Sequence, residues 1–178
     1  MRVVAGLYRH RELLMPRGNK TRPSKDMVKE GFFSALSNKV ENAIVLDLFS
    51  GSGSLGIEAI SRGATCAYLI DSDKEAIRTI KQNLNNLKIA NAYVYQLDYQ
   101  IALERFKKQN LKFDLVLIDP PYKNNIYEEI ILYLIDNNLL NNNACIVLES
   151  NRELTVKIKC TKIKHYKYGK TFITILWL

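Results

Sequence analysis

The sequence predicts an α/β protein whose doubly wound sheet is mostly parallel and ends in an antiparallel hairpin. Five short apolar runs, each typical of a buried strand, alternate with amphipathic stretches of helical period. Such alternation is the pattern of a parallel sheet that carries helices on its faces. The chain then closes with two strand-like runs, 162–167 and 170–178, around Tyr168 and Gly169, which indicate a hairpin.

Length and composition favour a single globular domain. The 178 residues, of which 47% are hydrophobic and 25% charged, suffice for a substantial core, and no linker divides them. No apolar run approaches the ~20 residues of a membrane span, and residues 1–9 lack the apolar core of a signal peptide. Cys66, Cys145 and Cys160 show no metal-binding spacing, so we expect reduced thiols and no metal. We therefore expect a cytoplasmic protein without a membrane segment.

Positive charge is concentrated at the two ends of the chain. The net charge is +8; residues 1–30 carry eight Lys/Arg against three acids, and residues 154–178 carry six lysines and no acid. The middle of the chain sums to −3. Basic ends around a slightly acidic middle are typical of a protein that binds a polyanion such as a nucleic acid. For the C-terminal lysines alone, ordinary solvated side chains are an equally good explanation.

Residues 1–24 are predicted to form a basic arm that precedes a core of residues 25–178. Apolar residues between the basic ones favour a short hairpin or strand. Arginine side chains suit bidentate phosphate contacts, and Tyr8 offers a face on which a base can stack. His10 is interpreted as facing solvent or nucleic acid, because no other metal ligands accompany it. The candidate phosphate contacts are Arg9, Arg11, Arg17 and Arg22.

The first helix and strand of the core lead to a glycine loop. Ser24 is a predicted N-cap for a helix over 25–36, and residues 43–46 are predicted to form the first strand. Segment 47–56 then has three glycines in the G-x-G-x-x-G pattern, which allows a tight turn and a close backbone approach to a ligand. Alone, this pattern is shared by several nucleotide-binding classes. The candidate ligand contacts in this loop are Asp47, Phe49, Ser50, Gly51 and Gly53.

The second strand, 66–70, ends in an acid. Asp71 lies about twenty residues after the first glycine, where a carboxylate can reach the ribose hydroxyls of a bound nucleoside. Ser72 and Glu75 match a capping box for the helix that follows. Asp71 and Ser72 are therefore further candidate contacts for a nucleoside ligand.

The third strand, 92–96, leads to another acid at the same predicted edge of the sheet. Asp98 could accept a hydrogen bond from an adenine amino group, or it could cap the next helix, and the sequence favours neither interpretation. Asp98 and Tyr99 complete the set of candidate contacts for a nucleoside ligand. A fourth strand, a fifth helix and a fifth strand are predicted over 113–118, 127–137 and 144–148.

The most specific motif is Asp119-Pro120-Pro121-Tyr122, directly after the fourth strand. Proline fixes φ and has no N–H, so the two prolines must form a rigid exit at the carboxyl end of that strand. The Asp119 carboxylate and the Pro120 carbonyl could accept both N–H bonds of an exocyclic base amine and leave its lone pair for an electrophile. Tyr122 would stack on the base. A structural Asp-Pro turn is the alternative, but the buried strand before the motif and the aromatic residue after it favour catalysis.

The order of these motifs resembles that of the class I S-adenosylmethionine-dependent amino-methyltransferases, which have a Rossmann-like sheet. More narrowly, the chain resembles the bacterial small-subunit ribosomal RNA guanine-N2 methyltransferases, the RsmD family. Two departures are visible, because Ser24 replaces a usual threonine and His10 stands where glycine is common. The matching segments are Arg2-Val3-Val4-Ala5-Gly6, Arg22-Pro23-Ser24, Asp26-Met27-Val28-Lys29-Glu30 and Asp47-Leu48-Phe49-Ser50-Gly51-Ser52-Gly53.

The resemblance implies methyl transfer from S-adenosyl-L-methionine to N2 of one guanine in 16S rRNA, with S-adenosyl-L-homocysteine as product and no metal. We also expect a monomer whose substrate is 16S rRNA within an assembling small ribosomal subunit. Three alternatives remain. An adenine-N6 methyltransferase shares the Asp-Pro-Pro-Tyr motif, although no segment is left for a DNA-recognition domain. A dinucleotide-dependent oxidoreductase leaves that motif unexplained. A non-catalytic RNA-binding assembly protein on the same scaffold is the third.

Overall fold

The computed structural model describes residues 1–16, 26–121 and 126–178. The candidate residues Arg17, Arg22 and Tyr122, together with the predicted N-cap Ser24, lie outside these ranges. For those four residues the sequence-based predictions stay predictions.

The described part of the chain contains a seven-stranded sheet in the order β3-β2-β1-β4-β5-β7-β6. Its strands are β1 (Ile44–Asp47), β2 (Cys66–Asp71), β3 (Ala92–Gln96), β4 (Phe113–Ile118), β5 (Leu140–Ser150), β6 (Lys162–Tyr168) and β7 (Thr171–Trp177). Strands β1 to β5 are parallel, and β7 pairs antiparallel with both β5 and β6. The predicted fold class, a mostly parallel doubly wound sheet with a C-terminal hairpin, is therefore confirmed.

Five α-helices cover the two faces of the sheet in the described ranges. They are α1 (Asp26–Leu36), α2 (Ser54–Ser61), α3 (Lys74–Leu87), α4 (Tyr99–Lys108) and α5 (Tyr127–Asp136). Apolar side chains of α1, α2 and α3 form one core with the sheet, and those of α4 and α5 form a second core on its other face. Two covered faces explain why the central strands are continuous apolar runs, as is usual for parallel sheets. No helix among the described residues is long and apolar enough to cross a membrane.

The first thirteen residues form a small hairpin that packs on the sheet's helices. Arg2 and Glu12 make an antiparallel bridge, and the Val3 amide donates to the Arg11 carbonyl at 2.9 Å. Val3 is fully buried, and Leu13 is 5% exposed, within the core that α1, α2 and α3 share. The predicted short hairpin is thus confirmed for this part of the N-terminal extension, and the segment is docked on the core.

Glu58 of α2 holds that hairpin in place. Its carboxylate is fully buried and accepts hydrogen bonds from the Val4 amide at 2.8 Å and the Ala5 amide at 3.0 Å. The Lys29 ammonium lies 3.6 Å from the same carboxylate and donates to the Arg2 carbonyl at 2.5 Å. Burial lowers the pKa of Lys29, while the nearby negative charge of Glu58 acts in the opposite direction. Such a buried pair is costly to break, because one unpaired charge would stay in the core.

One local prediction is wrong. Helix α3 begins at Lys74, and its N-cap is Asp73, whose side chain accepts from the amides of Glu75 and Ala76 at 2.7 and 3.2 Å. Ser72 therefore does not form the predicted capping box. Aspartate and serine are about equally good N-caps, so the sequence Asp71-Ser72-Asp73 does not by itself fix the starting residue.

Candidate active site

Four acids gather at the carboxyl ends of four neighbouring strands. Asp47 and Asp71 end β1 and β2, Asp119 follows β4 directly, and Glu149 is the next-to-last residue of β5. These strands are adjacent in the order β2-β1-β4-β5. The chain winds outward in one direction from β1 and in the other from β4, so the crevice between these two strands is where open α/β sheets bind their ligands.

The glycine loop is held against β2 by hydrogen bonds that join backbone groups to side chains. Gly51 and Gly53 have φ of 54° and 79°, the left-handed region that glycine enters at little cost. The Gly51 amide donates to Oδ2 of Asp71 at 2.8 Å. The Ser50 hydroxyl donates to the Asp47 carbonyl at 2.8 Å and accepts from the Ile70 amide at 2.9 Å. Ser50 is therefore engaged in shaping the loop, and its ligand contact stays a prediction.

Gly56 allows helix α2 to lie close against β2. A Cβ atom at this position would stand 2.1 Å from Cδ2 of Leu69. The Gly56 amide donates to Oδ2 of Asp47 at 3.1 Å. This third glycine of the pattern thus serves helix–strand packing, as it does in other nucleotide-binding glycine loops.

Asp47 carries an unsatisfied buried oxygen. The residue is 1% exposed, and its Oδ1 has no hydrogen-bond partner among the described residues. Burial raises the pKa of Asp47 to about 7, against the hydrogen bond from the Gly56 amide, which lowers it. A buried carboxylate oxygen without a donor is unfavourable unless a ligand supplies one. The position therefore fits a ligand that brings a positive charge or an N–H group to the glycine loop.

Asp71 is positioned by two backbone amides. Besides Gly51 at Oδ2, the Asp73 amide donates to its Oδ1 at 2.9 Å. Its side chain is only partly buried. Each carboxylate oxygen has a second lone pair, so both can still accept from ligand hydroxyls. The arrangement fits the ribose contact, which stays a prediction.

Asp98 caps helix α4, as one of its two interpretations predicted. Its Oδ1 accepts from the Gln100 amide at 2.9 Å, and the residue is exposed at the strand edge. Capping occupies one carboxylate oxygen, and the other can still accept from a ligand. The adenine contact stays a prediction. Phe49 and Tyr99 lie beside it, with ring centroids 5.5 Å apart at an interplanar angle of 47°. The Tyr99 hydroxyl donates to Glu129 at 3.2 Å, which fixes its ring next to the glycine loop.

Asp119 lies in a strongly negative environment. Burial, and then the negative charges of Glu149 and Asp47, raise the pKa of its carboxyl well above the ordinary range. Pro120 is buried and Pro121 is exposed, so the backbone turns outward from the sheet at these two residues. On the far side of the loop, the Tyr127 hydroxyl donates to the Glu149 carbonyl at 2.8 Å and fixes the start of α5 to β5.

The sequence interpretation did not select Glu149 or Tyr127. Glu149 is 6% exposed and lies at the carboxyl end of β5. The rule that selected Asp47 and Asp71, an acid at the end of an apolar strand, would have selected it too. Within the described ranges, no group of three or more His, Cys, Asp or Glu side chains could hold a metal ion.

The basic candidates in the described ranges are solvent-exposed. Arg9 and Arg11 lie on the N-terminal hairpin, on either side of His10, which has a φ of 68°. Arg2 forms an ion pair of 2.7 Å with Asp26 at the start of α1. The structure thus leaves Arg9 and Arg11 accessible, and their contact with nucleic acid stays a prediction.

Comparison with protein families gives one match over almost the whole chain. The family model described as conserved hypothetical protein 95 matches residues 1–177. Among curated proteins, the ribosomal RNA small subunit methyltransferase D of Haemophilus influenzae is 37% identical over 155 residues, covering 86% of this chain and 80% of the relative. The protein of the same name from Escherichia coli K12 is 36% identical over 153 residues, covering 86% and 76%.

Solved structures share the complete fold. The Escherichia coli protein yhhF superposes with a TM-score of 0.87 at 32% identity, covering 99% of this chain and 97% of that one. A Thermus thermophilus protein, TTHA0928, gives a TM-score of 0.86 at 26% identity, with 100% and 99% covered. A 16S rRNA N2 G1207 methyltransferase of Thermus thermophilus, in complex with AdoMet and guanosine, shares the fold at 18% identity, with a TM-score of 0.69.

Proposed function

This chain belongs to the family described as conserved hypothetical protein 95, together with the relatives named ribosomal RNA small subunit methyltransferase D, and we propose that it methylates the exocyclic N2 amine of a guanine in 16S rRNA. The observation that carries the proposal is the set of acids around the crevice between β1 and β4. Asp119, followed by two prolines, lies at the same edge as the unsatisfied carboxylate of Asp47. Transfer to an amine from a cationic donor suits these surroundings.

The cofactor in this proposal is S-adenosyl-L-methionine, which supplies an electrophilic methyl group on a positively charged sulfur and leaves as S-adenosyl-L-homocysteine. Asp71 would accept hydrogen bonds from the ribose hydroxyls, and Asp98 would face the adenine amine. Asp47 would attract the positive charge of the ligand through its unsatisfied Oδ1. The two aromatic rings of Phe49 and Tyr99 would bound the adenine on one side. No metal enters the proposal.

Asp119 would position the target amine. The carboxylate and the Pro120 carbonyl accept its two N–H bonds, so that the nitrogen turns its lone pair toward the methyl group. In that role Asp119 must be ionised, whereas burial, and then the negative charges of Glu149 and Asp47, raise its pKa. A cationic ligand in the crevice opposes this effect, because an opposite charge favours the ionised carboxyl. After transfer, Asp119, which in this role already accepts an N–H bond of the amine, would accept the proton that the amine releases.

The choice of guanine N2 rests on the motifs that this chain shares with the small-subunit rRNA guanine-N2 methyltransferases, whereas the relatives' names support only small-subunit rRNA as the substrate. The target amine must come from an unstacked base, either flipped out or displayed in a loop. Folded RNA displays such bases, and its shape and backbone carry recognition. The exposed Arg9 and Arg11, with Arg17 and Arg22 beyond the described residues, would contact its phosphates. We place the reaction in the cytoplasm, on an assembling small subunit, with the enzyme acting as a monomer.

The test is product identification. Purified protein is incubated with methyl-labelled cofactor and small ribosomal subunits from cells that lack it, and the RNA is then digested to nucleosides. We expect label in N2-methylguanosine of 16S rRNA, and none when the subunits come from cells that retain the protein. Label in N6-methyladenosine would replace the guanine assignment by an adenine one. Binding of the subunits without transfer, by protein that binds the cofactor, would favour a non-catalytic assembly role.

A further inference from the structure

The C-terminal hairpin carries a cluster of lysines that the site described above does not use. β6 and the turn after it hold four exposed lysines, Lys162, Lys164, Lys167 and Lys170, and no acid. In the described part of the chain, none of the four makes an ion pair with a carboxylate within 4.0 Å. We call these four residues the hairpin lysines.

Two of the hairpin lysines are held by aromatic rings. The Lys162 ammonium lies 5.1 Å from the centroid of the Trp177 ring, and that of Lys167 lies 5.2 Å from the Phe172 ring. Such cation–π contacts restrict the rotamers of a long side chain while its charge stays at the surface. A lysine restricted in this way loses less conformational entropy when it binds an anion than a freely rotating one does.

The hairpin lysines lie along a free edge of the sheet. In the described ranges β6 pairs only with β7, so its other edge is open. Lys162 and Lys164 lie on the face of β6 that packs toward α1, while Lys167 lies on the opposite face. The lysines therefore border the open edge from both sides. The acids on the neighbouring helix α1 are Asp26, which is paired with Arg2, and the exposed Glu30.

The register brings one end of this edge level with the catalytic motif. Lys167 pairs with Phe172, which pairs with Ser150 of β5, and Leu148 of β5 pairs with Ile118 of β4. Ser150 lies two residues after Leu148, and Pro120 lies two residues after Ile118, so Lys167 is level with Pro120 along the strand direction. Three strand spacings separate β4 from β6, which is about 14 Å. A few nucleotides of an extended strand can bridge that distance.

We propose that the open edge of β6, with its hairpin lysines, binds the sugar-phosphate backbone of the RNA next to the base that enters the Asp119 site. The inference rests on the proposed function. It assigns this flank of the sheet to the substrate, on the side opposite β3, and it gives the RNA a second basic contact apart from Arg9 and Arg11. Charge complementarity selects a polyanion as the occupant, since the edge presents cations and lacks acids.

The test compares two triple variants of equal charge. Lys162→Gln, Lys164→Gln and Lys167→Gln are combined in one protein, and Lys81→Gln, Lys107→Gln and Lys108→Gln, exposed on α3 and α4, in the other. Affinity for transcribed 16S rRNA is measured over a salt series. We expect the first variant to bind on the order of tenfold more weakly at ~0.1 M salt, with a log–log salt slope reduced by about two to three. The second should stay within about twofold of the unmodified protein, because its lysines lie away from this edge.

Two further measurements keep the outcome interpretable. A variant with arginine at the three β6 positions retains the charge and should recover RNA affinity, and thermal unfolding checks that each variant is folded. Equal loss of RNA affinity in both glutamine variants would overturn the proposal, and so would unchanged affinity in the β6 variant. Unchanged affinity is the result expected if the edge lysines only prevent strand-to-strand aggregation. Unmodified protein that binds RNA through these lysines but transfers no methyl group would contradict the proposed reaction alone.

Discussion

The Gly56 amide donates a 3.1 Å hydrogen bond to Oδ2 of Asp47, while Oδ1 of the same buried carboxylate has no partner among the described residues. This asymmetry leaves one buried acceptor without a donor at the carboxyl end of β1. Burial with so few donors raises the pKa of the Asp47 carboxyl to about 7, because the charged form is poorly solvated there. Ligand binding at this position should therefore be coupled to the release of a proton.

The first prediction is a pH-dependent affinity for the cofactor. Only the ionised Asp47 attracts a cationic ligand, so affinity should rise between about pH 6 and about pH 8 and then level off. Calorimetry in two buffers of different ionisation enthalpy should detect proton release near pH 7. Asp47→Asn is the control, since its affinity should lose this pH dependence. The same slope in both proteins would remove Asp47 from the binding site.

The second prediction concerns stability without cofactor. The folded-state pKa of Asp47 is raised from 3.8 to about 7, so the folded protein holds this proton over a range where the unfolded chain has released it. The stability that this group contributes is therefore present below about pH 4 and is lost as pH rises to about 7, by up to about 4 kcal/mol. Denaturant unfolding should show a smaller loss between about pH 5 and about pH 7.5 in Asp47→Asn. A loss of equal size in the variant would assign the effect to other carboxyl groups.

The third prediction concerns Asp71. Asp71→Ala removes the acceptor for ligand hydroxyls, and it also frees the Gly51 and Asp73 amides that position the loop. Cofactor affinity should fall by about 1.5–3 kcal/mol, since hydrogen bonds to a charged group are lost. Calorimetry measures the affinity, and circular dichroism checks the fold. Asp71→Asn keeps one oxygen for the loop, so a smaller loss separates loop shape from ligand contact. An unchanged dissociation constant in both variants would exclude the ribose contact.

The fourth prediction separates binding from catalysis at Asp119. Its partner in the proposal is the target amine, so Asp119→Ala should abolish methyl transfer while cofactor affinity changes little. Removing the buried carboxyl also relieves its repulsion with Glu149 and Asp47, and the variant should remain folded. Single-turnover transfer to small subunits is the measurement. Near-normal transfer by Asp119→Ala would contradict the positioning mechanism, and Tyr122→Ala tests base stacking, worth about 1–3 kcal/mol.

The sequence predicted those features of the site that depend on a few neighbouring residues. Alternating apolar runs predicted the sheet, and strand-end acids predicted the positions of Asp47, Asp71 and Asp119. The start of α3 was missed because three consecutive capping residues compete, and only the packed helix selects Asp73. β5 extends from Leu140 to Ser150, well beyond the predicted 144–148. Its first half includes three polar asparagines, so an apolar pattern could not indicate pairing with β4.

Polar contacts between residues far apart in the chain could not be predicted from sequence patterns. The buried Glu58 joins the hairpin to α2 across more than fifty residues of sequence, and it lies in an apolar helix where periodicity predicts a core position. Arg62, four residues later at the end of the same helix, also pairs with this carboxylate, but the other partners, two backbone amides and the Lys29 ammonium, have no sequence signature. The N-terminal extension was therefore expected as an arm, whereas its described part is fixed to the core.

The last prediction tests whether that fixation reaches the cofactor loop. Asn83 of α3 is 1% exposed; its Oδ1 accepts from the Leu14 amide at 2.8 Å, and its Nδ2 donates to the carbonyls of Leu14 and Ser52 at 3.1 and 2.9 Å. One side chain thus joins the end of the docked segment to the glycine loop. Asn83→Ala leaves the Leu14 amide without its partner and should cost about 1–3 kcal/mol in unfolding free energy.

Two measurements on Asn83→Ala should change together. Trypsin should cleave after Arg9 and Arg11 faster, because the segment that follows them is released from α3. The cofactor should bind several-fold more weakly, because the Ser52 carbonyl in the glycine loop loses its hydrogen-bond donor. Asn86→Ala, an exposed asparagine on the same helix, is the matched control and should leave both unchanged. Faster cleavage with unaltered cofactor affinity would mean that Asn83 holds the segment alone and that the N-terminal hairpin and the glycine loop are independent.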